Sequence, residues 1–253
     1  MQFVIFDFKN HIMKNFSIAI HGGAGTLVKG MMTSELEAEY KSALKSALNA
    51  GYTILENGGS AVDAVEKAVI VLEDSHLFNA GKGAVFTADE THEMDASIME
   101  GKTLNAGAVS LISGIKNPIS LAKDVMEKSE HVFLAGEGAM QFAKMNDYKI
   151  EDASYFYDEF RHNQWLEIKD TDSFQLDHAK KKDSKFGTVG AVACDVNGNI
   201  AAATSTGGMT NKKFGRVGDS PMVGAGNYAN NKTCAISCTG SGEFFIRGVV
   251  AYD

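Results

Sequence analysis

Residues 187–231 most constrain what this chain can fold into, because they contain two strand-like runs, a tight turn between them and a glycine-rich polar loop. Residues 189–195 and 200–206 are small and mostly apolar, as in buried strands. Asn197-Gly198 between them is typical of two-residue hairpin turns. The stretch therefore predicts an antiparallel hairpin. Hydroxyl side chains collect at its ends, where the sequence has Thr188, Thr204, Ser205 and Thr206.

The polar residues of this stretch indicate an unusual way of activating a nucleophile. Threonines, glycines, Arg216 and Asp219 occur together, without a serine–histidine–aspartate order or metal-ligand spacing. A threonine freed at a new N-terminus can act in such a site, because its own α-amine serves as the base. The sequence also lacks a serine with glycine at both second neighbours, which excludes a nucleophile elbow.

Length, charge and cysteine content limit the possible classes of protein. The 253 residues fit one large domain, and the formal net charge of −8 argues against a nucleic-acid groove. No apolar run is long enough to span a bilayer, so we expect neither nucleic acid nor a membrane as partner. The first dozen residues do not resemble a signal peptide, and either Met1 or Met13 is a plausible start. Three cysteines in apolar contexts predict buried thiols in a reducing, cytoplasmic compartment: Cys194, Cys234 and Cys238.

Apolar periodicity predicts helices and strands along the rest of the chain. We expect strands at 16–20, 94–98, 106–112 and 131–134, and helices at 118–128, at 138–145 and from Glu243. A helix capped by Ser34 is expected to bury Tyr40, Leu44, Ala47 and Leu48. A second helix, starting at Ser60 with Asp63 in a capping-box variant, is expected to bury Val62, Val65, Val69 and Leu72. Residues 150–186 are polar and aperiodic, which predicts a linker. Periodicity alone therefore predicts an α+β fold.

Five motifs in order resemble the β-subunit of plant-type asparaginases, also called isoaspartyl aminopeptidases or β-aspartyl peptidases. They are GTVG at 187–190, TSTGGMTNK at 204–212, GRVGDSP at 215–221, GAGNYANN at 224–231 and SCTGSGE at 237–243. Upstream, HGGAGT at 21–26 and FNAGKGAVFT at 78–87 resemble the α-subunit of the same family. The resemblance covers nearly the whole chain from residue 17 onward.

The resemblance implies a fold and a domain organisation. Members are N-terminal-nucleophile hydrolases, which implies one domain over residues 1–253 built as a four-layer αββα sandwich. Residues 1–187 would form the α-subunit part, including the polar linker at about 150–186, and residues 188–253 the β-subunit part. Because family members continue beyond the helix that starts near Glu243, we expect a C-terminally truncated β-subunit part with an open sheet edge or exposed core.

The resemblance also implies a catalytic set. The chain would cut itself between Gly187 and Thr188, and Thr188 would become the nucleophile. Thr206 and Asn79 would orient it, while the Thr239 hydroxyl and the Gly240 N–H would form the oxyanion hole. The alternatives are strand threonines satisfied by backbone groups and, at 239–242, a strand-to-helix turn capped by Ser241. His21 is interpreted as part of a structural glycine loop, not as a catalytic residue.

The loop that carries Arg216 and Asp219 matches the family's clamp for an amino acid. Arg216 would bind the substrate α-carboxylate with its planar fork, and Asp219 would accept from the α-ammonium. The alternative is a surface ion pair of little energetic value. The expected substrate-binding set is Arg216, Val217, Gly218, Asp219, Thr239, Gly240, Ser241 and Gly242.

Cofactors and partners follow from the same resemblance. No organic cofactor is implied. A structural sodium ion is possible, in a loop whose ligands in the family are largely backbone carbonyls: Leu72, Glu73, Ser75, Phe78 and Ala80. The partner is a small amino-acid or dipeptide substrate, and the assembly is a homodimer of cleaved αβ protomers.

The function implied is a threonine hydrolase that cleaves L-asparagine to aspartate and ammonia, isoaspartyl dipeptides, or both. Two alternatives stay open. One is a glycosylasparaginase-like amidase, although TSTGGM at 204–209 fits the asparaginase branch better. The other is a catalytically inactive, truncated homologue that at most binds amino acids.

Overall fold

The computed structural model describes residues 15–24, 33–170 and 187–253. Its strands are β1 Ser17–His21, β2 Met94–Glu100, β3 Ala106–Ile112, β4 Phe133–Ala135, β5 Val189–Cys194, β6 Ile200–Thr206, β7 Asn227–Ala229 and β8 Ala235–Ser237. Its α-helices are α1 Ser34–Glu56, α2 Ala61–Glu73, α3 Pro118–Lys128, α4 Gly136–Met145, α5 Ala153–Phe156, α6 Glu159–Leu166 and α7 Gly242–Gly248. The α+β fold class expected from periodicity is therefore confirmed.

One six-stranded sheet, with the strand order β1-β5-β6-β2-β3-β4, forms the centre of the molecule. Its neighbours are antiparallel except for β3 and β4, which run parallel. The predicted hairpin is the pair β5–β6, and β6 lies between β5 and β2. Strands β7 and β8 form a separate two-stranded antiparallel ribbon.

Strict alternation along β6 separates the two faces of the sheet. Ala201 and Ala203 pack into the large apolar core beneath the helices, and Ser205 donates to Glu73 at the end of α2. Ala202 packs instead against the ribbon, in a smaller apolar cluster with Met99, Ala106 and Ala229. Because side chains alternate with a period of two, Thr204 and Thr206 lie on the ribbon face. The described residues thus form a helical layer, a central sheet and a ribbon.

The first two helices show how the local sequence sets helix ends. Helix α1 is capped by Thr33, whose hydroxyl accepts from the N–H of Leu36, so the prediction of Ser34 as the cap is wrong by one residue. The predicted apolar stripe also extends too far, since Leu48 is exposed. Ser60 caps α2 as expected and accepts from the Asp63 N–H, and the predicted stripe of this helix is buried.

The first part of the predicted linker forms two short helices, so the prediction of an aperiodic linker is wrong there. Residues 153–156 and 159–166 are helical, and Phe156, Arg161 and Trp165 are buried. The two helices are too short for an apolar period to emerge, which is why the sequence pattern missed them. The lysine-rich remainder, residues 171–186, lies outside the described residues, as does the choice between Met1 and Met13.

Two smaller expectations are also corrected. The three cysteines are free, but Cys234 is exposed and the other two are half-buried, so they are not buried apolar residues. Helix α7 starts at Gly242 as expected, yet within the described chain the Ser241 side chain makes no capping hydrogen bond. The Ser241 carbonyl accepts from Phe244 instead. Among the described residues, no helix has both the length and the apolar character needed to cross a membrane.

Candidate active site

The hairpin register brings the two central threonines together. Val189 pairs with Ser205 across β5 and β6, so Thr188, just before β5, comes to lie beside Thr206, at the end of β6. The Thr188 hydroxyl donates to the Thr206 hydroxyl over 3.0 Å. Thr206 is 4% exposed and Thr188 9%, so the nucleophile candidate is buried but can still be reached by a small molecule.

A third hydroxyl, that of Ser220, completes this cluster and was not anticipated from the sequence. Ser220 Oγ lies 3.2 Å from Thr188 Oγ1, and its residue is 1% exposed. The Ser220 carbonyl accepts from Ser97 Oγ over 2.6 Å, which ties the residue to the central strand β2. Its position directly after Asp219 was the only signal in the sequence. Thr188 Oγ1 is therefore held between two fixed hydroxyls.

Asn79 acts on this cluster through the backbone of Gly208, not through a direct bond to Thr188. The Asn79 amide donates to the Gly208 carbonyl over 2.7 Å and accepts from the Val85 N–H. The Gly208 N–H donates in turn to Thr206 Oγ1 over 3.0 Å. Asn79 is 1% exposed, so this chain of bonds is rigid and fixes the position of Thr206.

The glycine turn after β1 packs directly against Gly187. A β-carbon on Gly23 would overlap the Gly187 backbone, and φ at Gly23 is +113°, a conformation that favours glycine. The neighbouring Ala24 N–H donates to Thr239 Oγ1 over 3.0 Å. A β-carbon on Gly187 would lie 3.0 Å from the same oxygen. The Thr239 hydroxyl thus lies next to the Gly187–Thr188 bond.

Arg216 and Asp219 lie on the opposite wall, but they do not pair with each other. Nε and Nη2 of Arg216 both bond to Oε1 of Glu243, over 2.9 and 2.8 Å. Asp219 is 4% exposed, and burial raises the pKa of its carboxyl to about 6 against the partial opposition of the Arg216 charge. Among the described residues, its Oδ2 atom has no hydrogen-bond partner. A buried acceptor without a donor is suited to bind a cationic group.

The glycines of this wall leave room for the two charged side chains. A β-carbon on Gly242 would lie 2.9 Å from both Arg216 Nη2 and Asp219 Oδ1, and one on Gly218 would lie 2.9 Å from Arg216 Nη1. Val217 between them is half-buried. Residues of both walls line one cleft of about 30 Å³, which contains Thr188, Thr206, Arg216, Asp219, Ser220 and Gly240 among others.

Comparison with known proteins assigns the chain to a family. The model of the family described as Asparaginase matches residues 14–253. The chain belongs to this family. It is 52% identical to the isoaspartyl peptidase of Escherichia coli over 93% of this chain and 74% of the relative. It is 47% identical to the plant-type L-asparaginase of Pyrococcus furiosus (91% and 76% covered) and 46% identical to the isoaspartyl peptidase/L-asparaginase of Xenopus laevis (92% and 73% covered).

In this family member, His21 belongs to a structural network behind the nucleophile. Its Nε2 lies 3.0 Å from Ser237 Oγ, which lies 2.6 Å from Thr204 Oγ1, and Thr204 donates to the Gly226 carbonyl. Burial lowers the pKa of His21 to about 4, so the ring is neutral at physiological pH. The network joins β1 to β6 and the ribbon, in line with a structural role.

Two buried charged side chains, Lys212 and Asp95, influence each other's pKa and were also not anticipated from the sequence. The ammonium group of Lys212 donates to the Glu93 carbonyl over 2.8 Å, and burial lowers the pKa of this lysine. Asp95 is fully buried, its Oδ1 accepts from the Leu111 N–H, and burial raises its pKa against the opposing charge of Lys212. The sequence gives no sign of this pair, because the two residues are far apart along the chain.

The predicted sodium loop offers backbone oxygens. The Glu73 carbonyl faces Gly81, and the Phe78 carbonyl faces Gly83, where a β-carbon would overlap each oxygen. The Glu73 carboxyl is directed elsewhere, since its Oε1 accepts from Ser205 and from the Ile119 N–H. Within the described residues, no group of three histidine, cysteine, aspartate or glutamate side chains is placed to hold a metal.

Proposed function

We propose that this chain is an autoprocessing threonine hydrolase that cleaves L-asparagine, isoaspartyl dipeptides, or both. The observation that carries the proposal is the position of Thr188 Oγ1, which donates to Thr206 and lies in the same cleft as buried Asp219 and Arg216. A nucleophile and a pair of opposite charges in one cleft suit a substrate that carries an α-ammonium and an α-carboxylate close to an amide.

Scission between Gly187 and Thr188 unmasks the base. While the bond is intact, the Thr188 nitrogen is an amide and cannot accept a proton. Attack of the Thr188 hydroxyl on the Gly187 carbonyl gives an ester, which water opens to a Gly187 carboxylate and a free threonine amine. An unperturbed α-amine has a pKa of about 7.7–8.0, so a sizeable fraction is neutral at physiological pH.

The hydrolytic cycle then uses the same groups twice. The α-amine takes the proton of the Thr188 hydroxyl as Oγ1 attacks the substrate side-chain carbonyl, and it passes that proton to the departing nitrogen. Ammonia or an amino acid leaves, and water hydrolyses the aspartyl ester. The Thr239 hydroxyl and the Gly240 N–H stabilise the oxyanion, an interaction worth about 2.7–4 kcal/mol per donor. Thr206, with Ser220 beside it, orients Oγ1.

The substrate's amino-acid head binds to the opposite wall. Asp219 accepts from the α-ammonium with Oδ2, which has no hydrogen-bond partner among the described residues. Arg216 binds the α-carboxylate with its remaining N–H groups while Glu243 holds the other edge of the guanidinium. Gly218 and Gly242 keep side chains out of this space, and Val217 and Ser241 line its margins.

Several finer features belong to the same proposal. They are the four-layer αββα sandwich, a homodimer of cleaved αβ protomers and a cytoplasmic setting. A sodium ion is proposed to be held by backbone carbonyls of the loop Leu72, Glu73, Ser75, Phe78 and Ala80. Beside that loop, a β-carbon at Gly81 or Gly83 would overlap a carbonyl oxygen, and this close approach supports a cradle of oxygens. Such an ion would stabilise the loop next to Asn79 and supply no chemistry.

Turnover of three substrates tests the proposal. L-asparagine, an isoaspartyl dipeptide such as β-Asp-Leu and a sugar-linked asparagine are compared with purified full-length protein. We expect hydrolysis of one or both of the first two and none with Thr188→Ala. Preferential hydrolysis of the sugar-linked asparagine would favour a glycosylasparaginase, and no hydrolysis of any substrate would favour an inactive homologue.

A further inference from the structure

The hydrogen bonds around Thr188 show which hydroxyl donates to the nucleophile candidate. Thr188 Oγ1 has a single proton, which it donates to Thr206 Oγ1 over 3.0 Å. Ser220 Oγ lies 3.2 Å from Thr188 Oγ1, so the proton of this second hydrogen bond comes from Ser220. Among the described residues, Ser220 Oγ has no other hydrogen-bond partner. Thr188 Oγ1 therefore donates to Thr206 and accepts from Ser220.

Thr206 does not supply a donor to the nucleophile, because its oxygen already accepts twice. Thr206 Oγ1 accepts from the Thr188 hydroxyl and from the Gly208 N–H over 3.0 Å. A hydrogen bond between two hydroxyls contains one proton, so Thr206 does not donate to Oγ1 while it accepts from it. The two hydroxyls next to Thr188 thus have different roles. Thr206 directs the proton of Oγ1, and Ser220 donates to its lone pair.

The position of Ser220 is set by the centre of the fold. Its carbonyl accepts from Ser97 Oγ over 2.6 Å, and Ser97 is fully buried on β2. The Ser97 carbonyl accepts from the Asn227 side-chain amide over 2.9 Å, which joins the same point to the ribbon. Ser220 itself is 1% exposed. A donor held in this way needs little reorganisation when negative charge develops on the oxygen that it faces.

We propose that Ser220 is a catalytic residue for the second half of the reaction, in which water hydrolyses the aspartyl ester of Thr188. The water oxygen bonds to the ester carbon, and the bond from that carbon to Oγ1 breaks with its electron pair left on Oγ1. The Thr188 α-amine takes a proton from the water and passes it to Oγ1. The step ends with a free Thr188 hydroxyl and a carboxylic acid, which ionises in water.

The hydrogen bond from Ser220 favours this step over the first one. It strengthens as Oγ1 gains negative charge on leaving, which lowers the barrier to ester hydrolysis. In the first half, Oγ1 uses a lone pair to attack, and the charge develops on the substrate carbonyl oxygen instead. The inference rests on the proposed function and deepens it, because it assigns one residue to one of the two chemical steps.

Ser220→Ala separates the two halves of the reaction when cleaved protein is assayed with L-asparagine and β-Asp-Leu. Both substrates form the same aspartyl ester, so a variant limited by ester hydrolysis has one kcat for both. We expect kcat to fall by about tenfold to a hundredfold to this common value, as for loss of a hydrogen bond to a charged group. The ratio kcat/KM, which reports on attack, should stay within about twofold of the wild type.

Two further variants and a direct measurement support this comparison. Mass spectrometry of acid-quenched samples should find the aspartyl ester on the Thr188 fragment of Ser220→Ala during turnover. Ser220→Thr keeps a hydroxyl on the same carbon and should recover most of kcat. Ser154→Ala removes an exposed serine hydroxyl on α5 and should change neither constant. Thermal melts of each variant confirm that it is folded.

Scission gives a second measurement on Ser220→Ala, which applies even if this variant stays uncut. The ester that forms between Gly187 and Thr188 is opened by water with the same departure of Oγ1. Full-length Ser220→Ala should therefore be split into two fragments faster in hydroxylamine, which attacks esters, than in buffer alone. Equal rates in the two solutions would contradict the role of Ser220 in scission.

The kinetic results that overturn the inference are also distinct. Equal losses of kcat and kcat/KM in Ser220→Ala would show that Ser220 only holds Thr188 in place. No loss of kcat, or no ester in the quenched samples, would show that it does not assist ester hydrolysis. If the wild type hydrolyses neither substrate, the proposed function fails and the inference fails with it. Hydrolysis of either substrate by the wild type, together with one of these results, contradicts the role of Ser220 alone.

Discussion

At the scale of a single residue, burial of the Asp219 carboxyl makes the stability of the folded protein depend on pH. The pKa of this carboxyl is raised from 3.8 to about 6, so its folded form is stabilised by protonation. This stabilisation of the folded state by the protonated carboxyl is fully present below about pH 4 and is lost as the pH rises through about 6. The free energy of unfolding falls by up to about 3 kcal/mol over this range. The ionised carboxylate, which burial disfavours, is the form proposed to accept from the substrate ammonium.

Replacement of Asp219 by asparagine should therefore stabilise the free protein at neutral pH. Urea denaturation at pH 4, 5, 6 and 7.5 should give Asp219→Asn a higher free energy of unfolding than the wild type at pH 7.5, with a difference that shrinks towards pH 4. A difference that stays constant over this range, or grows at low pH, would show that the carboxyl is not destabilised by burial.

In the proposed clamp, the planar fork of Arg216 binds two partners at once, which a lysine cannot do. Two of its nitrogens hold Glu243, and the substrate α-carboxylate is left for the others. We expect Arg216→Lys to lower kcat/KM by about tenfold to a hundredfold, in line with the loss of charge-assisted hydrogen bonds. The loss should be similar for L-asparagine and β-Asp-Leu, since both have the same amino-acid head. Steady-state kinetics with unchanged kcat/KM would rule out the clamp.

The sequence predicts contacts between residues of one hairpin better than contacts between residues of separate loops. Thr188 and Thr206 come together because strand register is a local property. The contact of Ser220 with Thr188 and that of Glu243 with Arg216 depend on how separate loops are placed in space. No spacing pattern in the sequence indicates them. Asn79 was predicted near the nucleophile, but the sequence does not show that it acts through hydrogen bonds of the Gly208 backbone.

Element boundaries were best predicted where a single residue sets them. Pro118 at the first turn of α3 fixes its start, and that helix spans the residues expected of it. Helices α5 and α6 were missed because each is short and follows an acidic, polar stretch. Their stability comes from a few buried aromatic contacts, such as the edge-to-face pair of Tyr155 and Phe156.

The burial of Phe156 makes α5 part of the core, which a linker would not be. Phe156 is 1% exposed, so Phe156→Ala should lower the free energy of unfolding by about 3–5 kcal/mol. Phe160→Ala, four residues later, should cost far less because Phe160 is 45% exposed. Chemical denaturation of both variants measures the difference. Equally small losses of unfolding free energy in the two variants would show that residues 153–156 behave as a linker and not as part of the core.

At the scale of the whole molecule, the proposed scission and the proposed catalysis use the same assembled site. The glycine turn after β1 packs against Gly187, the hairpin β5–β6 supplies Thr188 and Thr206, and the turn before α7 supplies Thr239 and Gly240. These parts come from both ends of the chain. The family resemblance predicted this assembly, whereas composition and periodicity predicted only the fold class.

The most direct test of the central claim is intact-protein mass spectrometry during a time course, with hydrolysis of β-Asp-Leu and L-asparagine followed in the same samples. We expect two fragments whose masses place the break between Gly187 and Thr188, and activity that rises in proportion to the cleaved fraction. Thr188→Ala should stay at full length and inactive. Hydrolysis by a wholly uncleaved chain, or by Thr188→Ala, would contradict the assignment of Thr188 as an N-terminal nucleophile.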